Sequence, residues 1–139
     1  IRITNSRITR CYYSKIIRTI LMSEKKTYCF DLDGTLCTQT DPKNYGSKSN
    51  PGQVYKEAKP LVDRIELVNE LYDAGHTILI DTARGTELGD VDMWKEVTQH
   101  QLDEWGVKYH VLRGGVKLVA DVYVDDRGMD DRHFFGISL

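Results

Sequence analysis

The chain has few cysteines and no long apolar run, and both absences limit what it can be. Its three cysteines are odd in number and lack the paired spacing of a zinc finger, which argues against a disulfide-stapled scaffold. They are Cys11, Cys29 and Cys37. No stretch reaches the roughly 20 apolar residues of a membrane span. We therefore predict a soluble protein of a reducing compartment, the cytoplasm, with no membrane partner.

The chain also lacks a large excess of charge of either sign. A net charge of -2 gives no electrostatic basis for non-specific binding to nucleic acid. With 139 residues the chain has room for one domain, in which about two thirds of the unfolded chain's surface can be buried. A second catalytic domain is therefore not expected.

Residues 1–22 contain no acidic residue. Five of the 19 basic residues lie in this segment and all 21 acidic residues follow it, so the chain from Ser23 onward is acidic. The segment lacks the apolar core of a secretory signal. We interpret it as a basic leader outside the fold, upstream of an initiator at Met22, with an organellar transit peptide as the alternative. The predicted domain covers residues 23–139.

From Thr27 the sequence alternates between strand and helix patterns. Strands are predicted over residues 27–30, 77–80, 107–112 and 120–124. The first is an unbroken apolar run, which predicts a strand buried on both faces. Helical spacing places one apolar face on Leu61, Ile65, Val68 and Tyr72, and another on Trp94, Val97, Gln101 and Trp105. The order predicts an α/β layer fold with a mainly parallel sheet, in which residues 38–59 form a small lid loop.

Polar residues follow three of these strands at the point where each strand ends. Asp31, Thr82 and Asp125 occupy those positions. Because the carboxyl ends of parallel strands meet at one edge, we expect these side chains to converge there. Asp33 is two residues from Asp31 and so points to the same side. Clustered carboxylates repel unless a cation lies among them, and hard oxygen ligands favour Mg²⁺.

Four motifs in this order carry a family resemblance. They are Asp31-Leu32-Asp33-Gly34-Thr35, Thr82, Lys117 and Asp125-Asp126. Together they resemble the motifs of the haloacid-dehalogenase-like phosphohydrolase superfamily. Three further stretches resemble the small phosphatases of capsule and lipopolysaccharide biosynthesis: Thr82–Gly85, Gln101–His110 and Asp121–Arg127. The resemblance implies a three-layer, Rossmann-like sheet with a minimal cap.

The resemblance also implies a role for each residue. Asp31 is the expected nucleophile, which forms an aspartyl-phosphate, and Asp33 is the expected general acid and base. Mg²⁺ is expected on Asp31, Asp33 and Asp125, with Asp33 contributing its backbone carbonyl. The expected phosphate-binding residues are Thr82, Ala83 and Lys117, and Asp126 would orient Lys117 or reach the metal through water.

Several positions keep two interpretations. The loop Gly115-Val116-Lys117-Leu118 departs from the Gly-Lys-Pro of the resembling phosphatases, so Arg113 is an alternative source of the positive charge. Asp81 is either a further carboxylate on the metal side or a solvent-facing residue. Arg84 and Arg127 are interpreted as helix or rim residues, with substrate contact as the alternative.

The predicted activity is Mg²⁺-dependent hydrolysis of a small phosphorylated substrate, for which the resemblance favours a sugar phosphate or related polysaccharide precursor. A nucleotidase or a polynucleotide 3′-phosphatase is the alternative, with Tyr45 or Tyr55 stacking on a base. An alternative of another class is a regulatory phospho-acceptor domain that does not turn over. A homo-oligomer is left open.

Overall fold

The computed structural model describes residues 18–39, 55–86 and 93–136. In this part of the chain three strands form one parallel sheet in the order β1-β2-β3. The strands are β1, Thr27–Phe30; β2, Thr77–Asp81; and β3, Val111–Arg113. The helices are α1, Val62–Asp73; α2, Met93–Glu104; and α3, Asp131–Phe134. This is a small α/β fold with an open parallel sheet, as predicted, and it is consistent with a Rossmann-like arrangement.

The register of the sheet brings the ends of β1 and β2 level with each other. Thr27 lies opposite Thr77, and Phe30 lies opposite Ile80. The side chains of Ile78 and Ile80 are fully buried and hold β2 in the core. The chain therefore leaves both strands at the same edge, where Asp31 and Thr82 follow.

β1 is less buried than the sequence predicted. Thr27 and Cys29 are exposed, Tyr28 is half-buried and only Phe30 is buried. Within the described ranges, β1 is an edge strand that pairs with β2 on one side. The prediction of a strand buried on both faces is therefore wrong, because no described segment pairs with its outer side.

Helix α1 packs the face that its apolar spacing predicted. Ile65, Val68 and Leu71 are buried, and Tyr72 packs half-buried against the same core. Gly75 follows with φ +92°, a left-handed conformation that ends the helix at low steric cost. The core under α1 also contains side chains from β1 and β2 and from the turn that follows β1.

Both tryptophans of the second predicted helix are packed, as expected. Trp94 is buried and Trp105 lies half-buried against the core. Gln101, predicted to share their face, is also buried. Asp90 and Asp92, either of which could cap the start of this helix, lie outside the described residues.

The third strand is shorter and begins later than predicted. The prediction was 107–112, whereas β3 covers Val111–Arg113. The N–H of Val107 bonds to the carbonyl of Leu102, and the N–H of Lys108 bonds to the side-chain oxygen of Asn69. The first bond completes the end of α2 and the second joins the chain to α1, so the N–H groups of residues 107 and 108 are not available for the sheet.

The predicted fourth strand over 120–124 is wrong for this structure, in which that stretch has no strand pairing. Val122 and Val124 are exposed. The hydroxyl of Tyr123 accepts a bond from the N–H of Ala120 and donates one to the carbonyl of Leu118. These local bonds curl the segment, and such side-chain contacts compete with an extended ladder.

The last residues of the predicted leader contact the fold. Residues 18–21 are helical, and Ile20 and Leu21 pack half-buried against the core. One ring nitrogen of the buried His76, Nε2, lies 3.2 Å from the carbonyl oxygen of Ile20. Residues 1–17 lie outside the described part of the chain. The contacts of Ile20 and Leu21 thus precede the boundary predicted at Met22.

The base of the predicted lid loop is held by two hydrogen bonds between Thr38 and Lys59. The N–H of Thr38 donates to the carbonyl of Lys59 at 2.8 Å, and the N–H of Lys59 donates to Oγ1 of Thr38 at 3.0 Å. Residues 40–54, with Tyr45, lie outside the described residues. None of the helices described has both the length and the apolar character that a membrane crossing requires.

Candidate active site

A cavity of about 360 Å³ lies at the carboxyl edge of the sheet. Its lining includes Asp31, Asp33, Thr82, Ala83, Arg84 and Lys117. The five predicted catalytic and phosphate-binding residues are therefore brought together although they span 86 positions of sequence. The volume is within the range of small-molecule sites, about 300–1,000 Å³.

The turn after β1 presents its two carboxylates by burying the residue between them. Leu32 is fully buried, and its carbonyl accepts the N–H groups of the three residues Thr35, Leu36 and Cys37. Gly34 adopts φ +80° within this turn, a conformation that favours glycine. Asp31 and Asp33 flank Leu32 and both line the cavity.

Lys117 forms an ion pair with the predicted nucleophile. Its Nζ lies 2.9 Å from Oδ1 of Asp31 and 3.2 Å from the carbonyl oxygen of Asp81. Thr35 Oγ1 donates to the other carboxylate oxygen of Asp31 at 3.3 Å. The Lys117 side chain is 22% exposed, so its charge is only partly screened by water.

The structure distinguishes the two candidate sources of positive charge, Lys117 and Arg113, and shows which of them pairs with Asp81. Arg113 donates from Nε and Nη2 to the two carboxylate oxygens of Asp81 at 2.9 and 2.7 Å. Its side chain is 63% exposed. Lys117, rather than Arg113, therefore supplies positive charge at Asp31, and the Asp81 carboxylate is engaged by Arg113.

Asp33 is held by a buried arginine. Arg84 donates from Nε to Oδ2 of Asp33 at 2.8 Å and from Nη2 to Oδ1 at 2.7 Å. Burial opposes the charge of Arg84, but the hydrogen bond and the negative charge of Asp33 outweigh it and raise the pKa of the guanidinium. The interpretation of Arg84 as a helix or rim residue is wrong, since its side chain is only 1% exposed.

Cys37 lies beside this pair. Its Sγ is 3.5 Å from Oδ1 of Asp33 and 3.8 Å from Nη2 of Arg84. Burial, followed by the negative charge of Asp33, raises the pKa of the thiol to about 12. Cys37 is therefore a protonated thiol at neutral pH and not a nucleophile.

Thr82 is fixed at the end of β2. Its N–H donates to the carbonyl of Arg113 at 2.9 Å, and its Oγ1 accepts the N–H of Arg84 at 3.2 Å. Thr82 is buried yet lines the cavity together with Ala83. A hydroxyl in the lining of this cavity can donate to an oxyanion bound there.

Asp125 and Asp126 do not join this cluster. Asp125 is exposed, and its Oδ1 accepts the N–H of Arg127 at 2.6 Å, a bond that lowers the pKa of the carboxyl. It lines a larger groove of about 760 Å³ that also contains Asp31 and Lys117. Asp126 is 90% exposed beside Arg127, an arrangement that does not support its orienting Lys117, and its contact with a metal through water stays a prediction. Both acids lie apart because the fourth strand does not form.

The carboxylates as placed do not form a Mg²⁺ site. Lys117 occupies Oδ1 of Asp31, an oxygen expected to bind the metal. Arg84 pairs with the Asp33 carboxylate, whereas the ligand expected from Asp33 is its backbone carbonyl. In the described ranges, no group of three His, Cys, Asp or Glu residues is arranged to hold an ion. The predicted ligand set of Asp31, Asp33 and Asp125 is therefore not assembled in this arrangement.

Sequence reasoning missed the polar network behind Asp33. Thr98 and Gln101 of α2 accept hydrogen bonds from Arg84 Nη1 at 3.1 and 2.7 Å. The ring of Tyr55 lies 4.8 Å from the guanidinium carbon. The available signal was Gln101 on the apolar face of a helix, because a buried amide needs a polar partner.

Comparison with known proteins gives similarity at the level of the fold. No family model and no curated protein matches the chain. A structural-genomics target from Vibrio cholerae, solved by crystallography, is similar with 26% sequence identity and a TM-score of 0.61. The match covers 82% of this chain and 90% of that chain. The likeness agrees with a small α/β fold and carries no activity with it.

Proposed function

We propose that this protein hydrolyses phosphomonoesters through an aspartyl-phosphate on Asp31, as a phosphatase of haloacid-dehalogenase-like type. The observation that carries the proposal is the 2.9 Å contact between Lys117 and Asp31 in a cavity that Thr82 also lines. A carboxylate, a fixed cation and a hydroxyl donor at one sheet edge match the needs of phosphoryl transfer, which depends on positioning and on charge stabilisation.

In the first step a carboxylate oxygen of Asp31 attacks the phosphorus, and the bond from phosphorus to the ester oxygen breaks. The leaving oxygen takes a proton from the carboxyl group of Asp33, which lines the same cavity. Lys117 Nζ, already at Asp31, neutralises charge on the transferring phosphoryl group, and the Thr82 hydroxyl donates to one of its oxygens.

In the second step water attacks the phosphorus of the aspartyl-phosphate, and the bond to the Asp31 oxygen breaks. Asp33, now a carboxylate, takes the proton from that water. Inorganic phosphate leaves and Asp31 is regenerated. A second carboxylate near the nucleophile is what separates turnover from a stable phospho-acceptor.

Magnesium dependence stays a prediction from the sequence, and no step above depends on a metal. Asp31 and Asp125 line one groove with oxygen donors, which is the chemistry that Mg²⁺ favours. Titrating the purified protein with EDTA and then with Mg²⁺ tests it. Activity that survives chelation would contradict the prediction.

For the substrate we propose a sugar phosphate or a related polysaccharide precursor, in the cytoplasm. Tyr55, one of the two tyrosines considered for stacking on a base, is 3% exposed and lies under Arg84. This removes one aromatic platform that a nucleotidase would use. Among the described residues that line the cavity, Tyr123 is an exposed aromatic side chain, at 59%, against which a sugar ring can pack.

The test is hydrolysis of a panel of sugar phosphates, nucleoside monophosphates and a 3′-phosphorylated oligonucleotide. We expect turnover of sugar phosphates that is abolished in Asp31→Asn. Trapping of ³²P on the protein distinguishes the alternatives, because an acyl phosphate that lasts for hours without turnover indicates a regulatory acceptor. No hydrolysis of any ester, or activity retained by Asp31→Asn, would overturn the proposal.

A further inference from the structure

Arg84 forms a more complete set of contacts than a substrate-binding arginine could. Its five N–H donors all face acceptors: two point to Asp33, two to Thr98 and Gln101, and one to the sulfur of Cys37. The guanidinium also stacks on Tyr55 at 4.8 Å. With no N–H remaining and the side chain 1% exposed, Arg84 has no capacity left for a ligand.

Through Arg84, the hydrogen-bond network connects helix α2 to the turn after β1. Thr98 and Gln101 are buried and fix one edge of the guanidinium, while the opposite edge meets both oxygens of Asp33. Gln101 Nε2 in turn donates to the carbonyl of Tyr55 at 2.6 Å. Because the groups that bind the other edge of the guanidinium are buried and packed, the two hydrogen bonds from Arg84 determine where the Asp33 carboxylate lies.

The geometry points to Arg84 as a positioning residue that aims the Asp33 carboxylate at the reacting water through a bidentate pair braced by α2. This inference rests on the proposed phosphatase function. Both Asp33 oxygens accept hydrogen bonds from Arg84, which orients the carboxylate and favours its charged form, the form that takes the proton when water attacks the aspartyl-phosphate. Arg84 therefore supports the second step more than the first, and it never touches the substrate.

A double-mutant cycle on the full-length protein tests the inference. We expect Arg84→Lys to lower kcat by about tenfold to hundredfold, because a displacement of about 1 Å in a catalytic group has that cost, with KM changed less than about threefold. The ³²P-labelled phosphoenzyme should accumulate in this variant. In an Asp33→Asn background the same substitution should change kcat by less than about twofold.

Arg113→Lys is the matched control, since Arg113 also forms a bidentate pair with an aspartate at this edge, yet it is exposed and pairs with Asp81. It should change kcat by less than about twofold in either background.

Thr98→Val is the second test of the positioning role, used where Arg84→Lys does not fold. It removes an acceptor that lies 3.1 Å from Arg84 and leaves the Asp33 pair intact. Its loss of kcat should also vanish in Asp33→Asn.

The outcomes separate this inference from the function on which it rests. A wild-type protein without hydrolysis overturns both proposals. If the wild type is active but Arg84→Lys or Thr98→Val lowers kcat by the same factor in the wild-type and Asp33→Asn backgrounds, the positioning role alone is overturned. A purely structural contribution would be independent of Asp33. Unchanged kcat in a folded Arg84→Lys variant overturns it as well.

Discussion

Trp94 lies against the backbone of Gly85, where a β-carbon would be 2.2 Å from Cδ1 of the indole. Gly85 also has φ +81°, which side chains rarely adopt. This glycine follows Arg84 directly, and its N–H donates to the Tyr55 hydroxyl at 3.2 Å. The contact thus fixes the turn that carries Thr82 and Arg84.

We expect Gly85→Ala to destabilise the fold by about 2–5 kcal/mol, from a left-handed residue that carries a side chain and from overpacking against Trp94. Gly106→Ala is the control, because Gly106 has φ +66° but nothing within 4 Å of its added methyl group. It should cost only about 1–2 kcal/mol. Urea unfolding measures both, and equal losses would contradict the role of Trp94.

The charge of Lys117 should matter for rate rather than for folding. Lys117→Met is expected to lower kcat/KM by about 10²–10³, as loss of one preorganised donor to a developing oxyanion does. Lys108→Met is the control, since Lys108 also pairs with an aspartate, Asp73, at 2.8 Å but on the exposed surface. Initial rates compare the two, and a similar loss in both would contradict the assignment of Lys117.

The hydroxyl of Thr82 should be needed for activity, whereas its methyl group should not. Thr82→Ser keeps the donor and is expected to retain activity within about fivefold, whereas Thr82→Val should lose about 10²-fold. Thr77→Val, at the opposite end of β2, serves as the control. Steady-state kinetics decide, and a Thr82→Val variant as active as Thr77→Val would remove Thr82 from the mechanism.

The thiol of Cys37 should make stability fall in alkaline solution. Its pKa is about 12 in the native protein against an ordinary value of 9.0, so the unfolded chain loses this proton first. The contribution of this thiol to the free energy of unfolding is fully present below pH 9. It falls by about 1.4 kcal/mol for each pH unit between pH 9 and pH 12.

Urea unfolding at pH 8 and pH 10 measures this slope. Wild type should lose about 1.4 kcal/mol more than Cys37→Ser between the two pH values, because serine has no proton to release there. Cys29→Ser should keep most of the slope, since Cys29 is exposed. The same slope in wild type and Cys37→Ser would contradict the expectation.

The amino-acid sequence by itself determined the parts of this protein that depend on local pattern. Apolar spacing placed Ile65 and Val68 in the core, and short apolar runs placed β1 and β2 within one residue of their observed bounds. The turn after β1 was equally local, because burying Leu32 forces Asp31 and Asp33 to one side. Parallel order then brought Thr82 to the same edge.

The tertiary structure decided which distant partner each charged group received. Periodicity cannot distinguish Lys117 from Arg113 at Asp31, since the choice depends on how the loop after β3 returns to the sheet. The burial of Arg84 required α2 to supply Thr98 and Gln101, neither of which is near it in sequence. Such pairings are set by packing between elements, and local sequence carries no record of them.

The same reason explains where the sequence prediction failed. The pattern of residues 120–124 is that of a strand, but a strand forms only where a neighbour pairs with it, and here bonds within the segment satisfy Tyr123 and Asp125 instead. Asp125 consequently lies outside the cluster that its sequence position predicted. The residue types came from local pattern, and their assembly into a site was settled by contacts between segments far apart in the chain.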